Sequence, residues 1–132
     1  MWAKIFTHLF EFQCYTYKEN KNYQTGLEYN YNICLFEQIT QSYALGDDSS
    51  DSSNINLGSW DGQMIVIEED DLLVMHYDNG STEWCADGNT TFARDTDIYH
   101  FCGSSNHIVS VHETTECSYN IVFSVNCTVD NY

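Results

Sequence analysis

Residues 84–94 read W-C-A-D-G-N-T-T-F-A-R, and H-F-C-G (100–103), I-V-S-V-H-E-T-T-E-C-S-Y (108–119) and S-V-N-C (124–127) follow. These segments hold four of the six cysteines and Arg94, the only arginine and the only fixed positive charge after Lys21. Between the cysteines, Thr96 to Phe101, His107 to Glu113 and Ser118 to Val125 mix β-branched, aromatic and polar residues over strand-length runs. The C-terminal third therefore reads as crosslinked strands surrounding one cation.

Six cysteines without a Cys-x-x-Cys pair suit a disulfide framework better than zinc or redox chemistry, which implies an oxidising compartment. Sequence alone leaves the pairing open. Asn-x-Ser/Thr acceptors at Asn79, Asn89 and Asn126 agree with passage through a secretory lumen. The net charge of -16 repels nucleic-acid phosphates and anionic membrane surfaces. No apolar run reaches the roughly 18 residues that a membrane-spanning helix requires.

Upstream, Gln13 to Lys18 and Leu27 to Phe36 alternate apolar with polar residues, and Glu19 to Gly26 between them is polar and ends in glycine, as a hairpin connection does. Ile55 to Trp60, Met64 to Ile67 and Leu72 to Tyr77 read as further short strands. The acidic, serine-rich stretch Gly46 to Asn54 reads as a solvated loop, Glu68 to Asp71 as a turn, and Asp78-Asn79-Gly80 as a hairpin turn. The expected fold is all-β, a flattened β-barrel or sandwich of about nine to ten strands stapled by disulfides. The chain divides into an N-terminal segment (1–12, a first strand or a truncated start), one domain (13–128) and a tail (129–132).

Gln41 lies seven residues after Cys34, Arg94 eight before Cys102, Glu113 four before Cys117 and Tyr119 two after it. A guanidinium bridges vicinal hydroxyls, a carboxylate accepts from them, and amide and phenol both donate and accept, so the set matches a hexose. With E-Y-N-Y-N-I-C-L-F-E-Q-I-T-Q (28–41), L-G-S-W (57–60) and M-H-Y-D-N-G (75–80), this pattern resembles the mannose 6-phosphate receptor homology (MRH) domain, the P-type lectin module. The resemblance is strongest to the glucosidase II beta subunit and next to the gamma subunit of GlcNAc-phosphotransferase.

That resemblance implies a P-type lectin fold with disulfides Cys14–Cys34, Cys85–Cys117 and Cys102–Cys127. It implies a non-catalytic module, without cofactor or metal, that holds a terminal mannose through Gln41, Arg94, Glu113 and Tyr119, with Trp60 and Trp84 as accessory residues. The implied partners are high-mannose N-glycans and a catalytic glucosidase II alpha-like subunit, in the endoplasmic reticulum lumen.

Other readings stay open. Arg94 could merely neutralise an acidic edge of the core, with Glu113 as its nearest partner. A glycosidase would pair Glu113 with Glu116 or Asp95, and a zinc site would draw on His76, His100, His107 and His112. The fold could also have lost sugar binding and serve as a protein interaction module.

Overall fold

The computed structural model describes residues 14–19, 27–45, 48–67 and 69–126. The N-terminal segment 1–12, the connection 20–26, the tail 129–132 and Cys127 lie outside the described residues. Ten strands are present: β1 (Cys14–Lys18), β2 (Leu27–Cys34), β3 (Gln38–Leu45), β4 (Asp48–Ile67), β5 (Leu72–Asp78), β6 (Ala86–Asp87), β7 (Thr90–Thr91), β8 (Asp95–Gly103), β9 (His107–Thr115) and β10 (Ser118–Asn126).

Eight of them form one sheet in the order β1-β2-β3-β4-β5-β8-β10-β9, and β6 and β7 make a separate two-stranded ribbon. The edge strands β1 and β9 come into contact, so the large sheet curls into a nearly closed barrel. Tyr15 on β1 meets Phe123 on β10 edge to face, with ring centroids 4.8 Å apart. This contact fills the barrel where its two edges approach.

Alternation explains which face is inside. Along β5 the residues Leu73, Met75 and Tyr77 are buried while their neighbours are half-exposed, and β8 repeats the pattern with Thr96, Ile98 and His100. With Ile33, Leu35, Ile39, Leu57, Ile121, Phe123 and Val125 these form one apolar interior. Each large aliphatic or aromatic side chain buried there contributes on the order of 1.5–3 kcal/mol of transfer free energy.

Three expectations are corrected. Residues 48–54 of the serine-rich stretch are not a loop: their backbone belongs to β4, with Ser53 opposite Tyr43 and Asn54 opposite Ser42. Pairing with β3 reaches Asn54, Ser53 and Asp48, with an irregularity between Ser53 and Asp48, although no apolar periodicity announces a strand. The segments read as two strands at 55–60 and 64–67 are one long strand, irregular between Trp60 and Gln63 where its register with β5 shifts.

Asp78-Asn79-Gly80 does not close a hairpin either, because β5 pairs with β8, fourteen residues beyond Gly80 if counted to Arg94 and fifteen to Asp95. Asn79 takes the left-handed conformation (φ 58°) and turns the chain out into the excursion 81–94. At Gly80 a Cβ would lie 2.6 Å from the Asn56 carbonyl and 2.9 Å from the Cβ of Arg94, so the close return of that excursion requires glycine.

Two expected disulfides are present, Cys14–Cys34 between directly opposed residues of β1 and β2, and Cys85–Cys117 between the excursion and the β9–β10 turn. Cys102 is also disulfide-bonded, and its expected partner lies outside the described residues. Asn79 and Asn89 are exposed, whereas Asn126 is half-buried at the end of β10.

Candidate functional site

At one end of the barrel a recess of about 620 Å³ is lined by residues from seven parts of the chain, among them Gln41, Arg94, Glu113 and Tyr119. Strand register brings them there. Gln41 on β3 stands opposite Tyr31 on β2 and Ile55 on β4, and Glu113 on β9 stands opposite Tyr119 on β10. A register shift between Ser118 and Tyr119 accompanies the entry into β10, beside the left-handed Cys117 (φ 68°).

Arg94 arrives on the last residue of the excursion. Its backbone N–H donates to the Ser81 carbonyl at 3.3 Å, its carbonyl accepts from Gly80 N–H at 2.9 Å, and its guanidinium donates to Ser81 O at 3.0 Å. The side chain is 5% exposed, and its Nε has no hydrogen-bond partner. A buried guanidinium N–H without an acceptor costs free energy, of order 1–3 kcal/mol.

Glu113 is fixed by the turn that follows it, its Oε2 accepting from the Cys117 N–H at 2.9 Å. Cys117 is in turn bonded to Cys85, next to Trp84 on the rim of the recess. The disulfide thereby ties the carboxylate's anchor to the segment that delivers the guanidinium.

The expected pairing of Arg94 with Glu113 is not made; no ion pair joins them among the described residues. The Tyr119 hydroxyl interacts with both instead. Burial raises the Tyr119 phenol, the Arg94 hydrogen bond opposes that rise, and the Glu113 charge adds to it. The phenol therefore stays protonated at neutral pH.

Tyr31 and Glu19 complete a second relay, which the sequence reading did not single out. Gln41 Nε2 donates to the Tyr31 hydroxyl at 3.1 Å, and that hydroxyl donates to Glu19 Oε2 at 3.3 Å. Burial raises the Tyr31 phenol well above its ordinary value, against the Gln41 hydrogen bond and with the Glu19 charge. With one amide N–H given to Tyr31, Gln41 keeps a second N–H and its carbonyl oxygen as further hydrogen-bonding groups at the recess. Alternation placed Tyr31 facing the same way as Ile33, and only the cross-strand register with Gln41 distinguishes it from core.

Of the accessory residues, Trp84 lines the recess and is 71% exposed, whereas Trp60 packs between Phe36 and Tyr77 at 5.5 and 5.3 Å and does not line it. His112 lies on the rim. The other described histidines are dispersed: His100 is fully buried against Leu73 O and Phe123, His76 is paired with Asp97, and His107 is exposed beside Ser105. The zinc reading fails on this dispersal. Among the described residues the one group with ligand-like spacing is Cys14, Cys34 and Glu37, and its two sulfurs are joined to each other. For the glycosidase reading, only Glu113 of the three carboxylates lines the recess; Asp95 accepts from the Ser118 hydroxyl at 2.6 Å and Glu116 is exposed.

No curated protein sequence matches the chain significantly. Among solved structures it resembles the MRH domain of glucosidase II beta bound to mannose, with 25% identity, a TM-score of 0.51, and coverage of 86% of this chain and 93% of that one. It also shares its fold with the MRH domain of Yos9 complexed with alpha3,alpha6-Man5, at 19% identity and a TM-score of 0.63, over 93% of this chain and 80% of that one. Residues 12–132 match the family model described as glucosidase II beta subunit-like protein, and the chain accordingly belongs to that family, folded as an MRH domain.

Proposed function

We propose that the recess binds a terminal mannose of high-mannose N-glycans, and that Gln41, Arg94, Glu113 and Tyr119 are its ligands. The observation that carries this reading is their convergence: residues up to 78 positions apart in sequence line one recess, in a domain of the MRH family. Arg94 supplies guanidinium donors, Gln41 an amide N–H and a carbonyl oxygen, and Glu113 carboxylate acceptors, while Tyr119 can both donate and accept.

Selectivity follows from what is left unpaired. Glucose differs from mannose in carrying an equatorial 2-hydroxyl, and a site built around the axial one loses a hydrogen bond when glucose enters. The groups already buried then lack a partner, which costs about 1–3 kcal/mol, or roughly 5- to 150-fold in affinity. Among the described residues Arg94 is the only fixed cation lining the recess, beside Glu19 and Glu113, so an unphosphorylated mannose fits this charge balance better than a mannose phosphate.

The module itself is non-catalytic, and recognition through one hexose is weak, in the millimolar to micromolar range. Useful occupancy then comes from several glycan arms or from a tethered enzyme. On this reading the chain is the glycan-recognition part of a glucosidase II beta-like subunit working beside a catalytic alpha-like subunit in the endoplasmic reticulum lumen. Its disulfides accord with an oxidising lumen, and the exposed Asn79 and Asn89 are the favoured glycan acceptors.

A glycan array tests this reading, with Arg94→Ala and Glu113→Gln measured beside the parent chain. High-mannose signal that disappears in both folded variants is expected. Signal retained in one variant removes that residue from the site, and no signal from the parent leaves an MRH fold serving only as an interaction module.

A further inference from the structure

The barrel's outer wall carries a feature that the sugar recess does not use. Ile65 on β4, Val74 on β5, Tyr99 on β8 and Val122 on β10 are successive cross-strand neighbours, an apolar row across four strands. Their core-facing neighbours Leu73, Met75, Ile98 and Ile121 are buried, so the row stands on the opposite, outer face. Ile65 is 65% exposed, with Met64 and Val66 beside it also open to solvent. Ile65, Ile67, Val74, His76, Asp97 and Tyr99 help to line a shallow depression of about 620 Å³ there.

Carboxylates bound this row at both ends. On one side lies the register row Gln63–His76–Asp97–Asn120, followed by Asp78 and Asp95; on the other lies the exposed turn Glu69-Asp70-Asp71. The carboxylates are crowded: a hydrogen bond with Asp61 holds Asp78 above its ordinary range, slight burial and the Asp61 charge adding to this while His76 opposes it. His76 Nδ1 lies 2.6 Å from Asp97 Oδ1 and its Nε2 lies 4.0 Å from Asp78 Oδ2, so the imidazole nearest this edge is already engaged by it.

We propose that this outer face of β4, β5, β8 and β10 is a docking surface for a protein segment that is apolar along its middle and edged on both sides by Lys or Arg. An apolar row of this kind, open at Ile65 and half-exposed at Val74, Tyr99 and Val122, offers an apolar seat for a partner, and the acidic borders select the partner's charge. A second copy would bring the same carboxylates and a net charge of -16 against them, and an anionic lipid surface would be repelled likewise. The residues lining this depression and those lining the sugar recess are entirely different, so one chain can hold a glycan and a partner together. The proposal does not depend on mannose binding.

The test uses the isotope-labelled full chain and two synthetic amphipathic peptides with the same leucine stripe, one edged with lysine and the other with glutamate. The lysine-edged peptide shifts the amide resonances of Ile65, Val74, Tyr99 and Val122 and leaves those of Gln41, Arg94 and Tyr119 in place. Its affinity falls roughly tenfold in high salt, and again in Ile65→Lys, a solvent-facing change that leaves the melting temperature unaltered. The proposal is overturned by absence of those shifts, by equal binding of the glutamate-edged peptide, or by shifts elsewhere. Self-association of the chain, binding of anionic vesicles, or occupation of this face by a synthetic peptide of residues 1–13 would each assign it to another occupant and equally overturn it.

Discussion

The two disulfides whose cysteines both lie among the described residues sit in regions that use them differently. Cys14–Cys34 links residues already opposed in the β1–β2 ladder, where four further register pairs hold the strands together. Cys85–Cys117 ties down the excursion 81–94, whose regular structure amounts to two strands of two residues each. Chain entropy hardly separates them: loops spanning 20 and 32 positions differ by only about 0.4 kcal/mol in closure. What separates them is what remains when the bond is cut. The hairpin keeps its ladder, while the Arg94 segment is left tied to the turn that holds Glu113 only through Asp95, whose N–H donates to Cys117 O and whose carboxylate accepts from the Ser118 hydroxyl.

The largest expected effect breaks that comparison directly. Replacing Cys85 and Cys117 together by serine should weaken mannose binding more than tenfold and cost about 2–4 kcal/mol of stability. Replacing Cys14 and Cys34 together should lower the melting temperature with far less effect on binding. Paired calorimetry and sugar titration of the two double variants would check this; equal losses of binding would show that the excursion has no special dependence on its crosslink.

Acid probes the sheet side of the comparison. Complete burial pushes His100 down to about 4, against hydrogen bonds to the backbone of Leu73 and Ile98. The unfolded chain takes up this proton near 6.5, so stability present above that pH is lost as pH falls toward 4, by about 3 kcal/mol from this group. His76 is raised, because Asp97, Asp95 and Asp78 outweigh its burial, and works in the opposite sense. Melting curves from neutral pH down to about 4 should show the decline, and His100→Gln, which cannot titrate, should flatten it.

A smaller effect separates two glycines around the excursion. Gly80→Ala should cost about 1–3 kcal/mol and displace Arg94, because its Cβ would press on Asn56 O and on Arg94 itself. Gly88→Ala, at φ +64° in open space on the β6–β7 ribbon, should cost only about 1 kcal/mol and leave sugar binding intact. Similar losses of binding in both would mean that the tight return at Gly80 does not position the arginine.

The same division explains what could be read in advance. β5, β8 and β10 were legible as strand-length runs rich in β-branched, aliphatic and aromatic residues, whereas the alternation of buried and half-exposed side chains along β5 and β8 emerges only in the fold. The four recess residues were legible only as a set, by their spacing from cysteines. Residues 48–54 of β4 were missed because serines and aspartates carry no burial pattern, yet Asn54, Ser53 and Asp48 pair with β3 through their backbone. The insertion of β10 between β8 and β9, parallel to β8, depends on packing between distant segments that no local period records. Tyr31 and Glu19 were overlooked for a related reason: their role comes from a hydroxyl that receives Gln41's proton and gives its own to Glu19, a geometry visible only after β2 and β3 are in register.

Titration of the isotope-labelled chain with a mannose glycoside and then with its glucose counterpart tests the central claim most directly. Saturable shifts at the amides of Gln41, Arg94, Glu113 and Tyr119 with mannose, and none at the same concentrations of glucose, are the predicted result. Shifts of equal size with both sugars, or none with either, would contradict it.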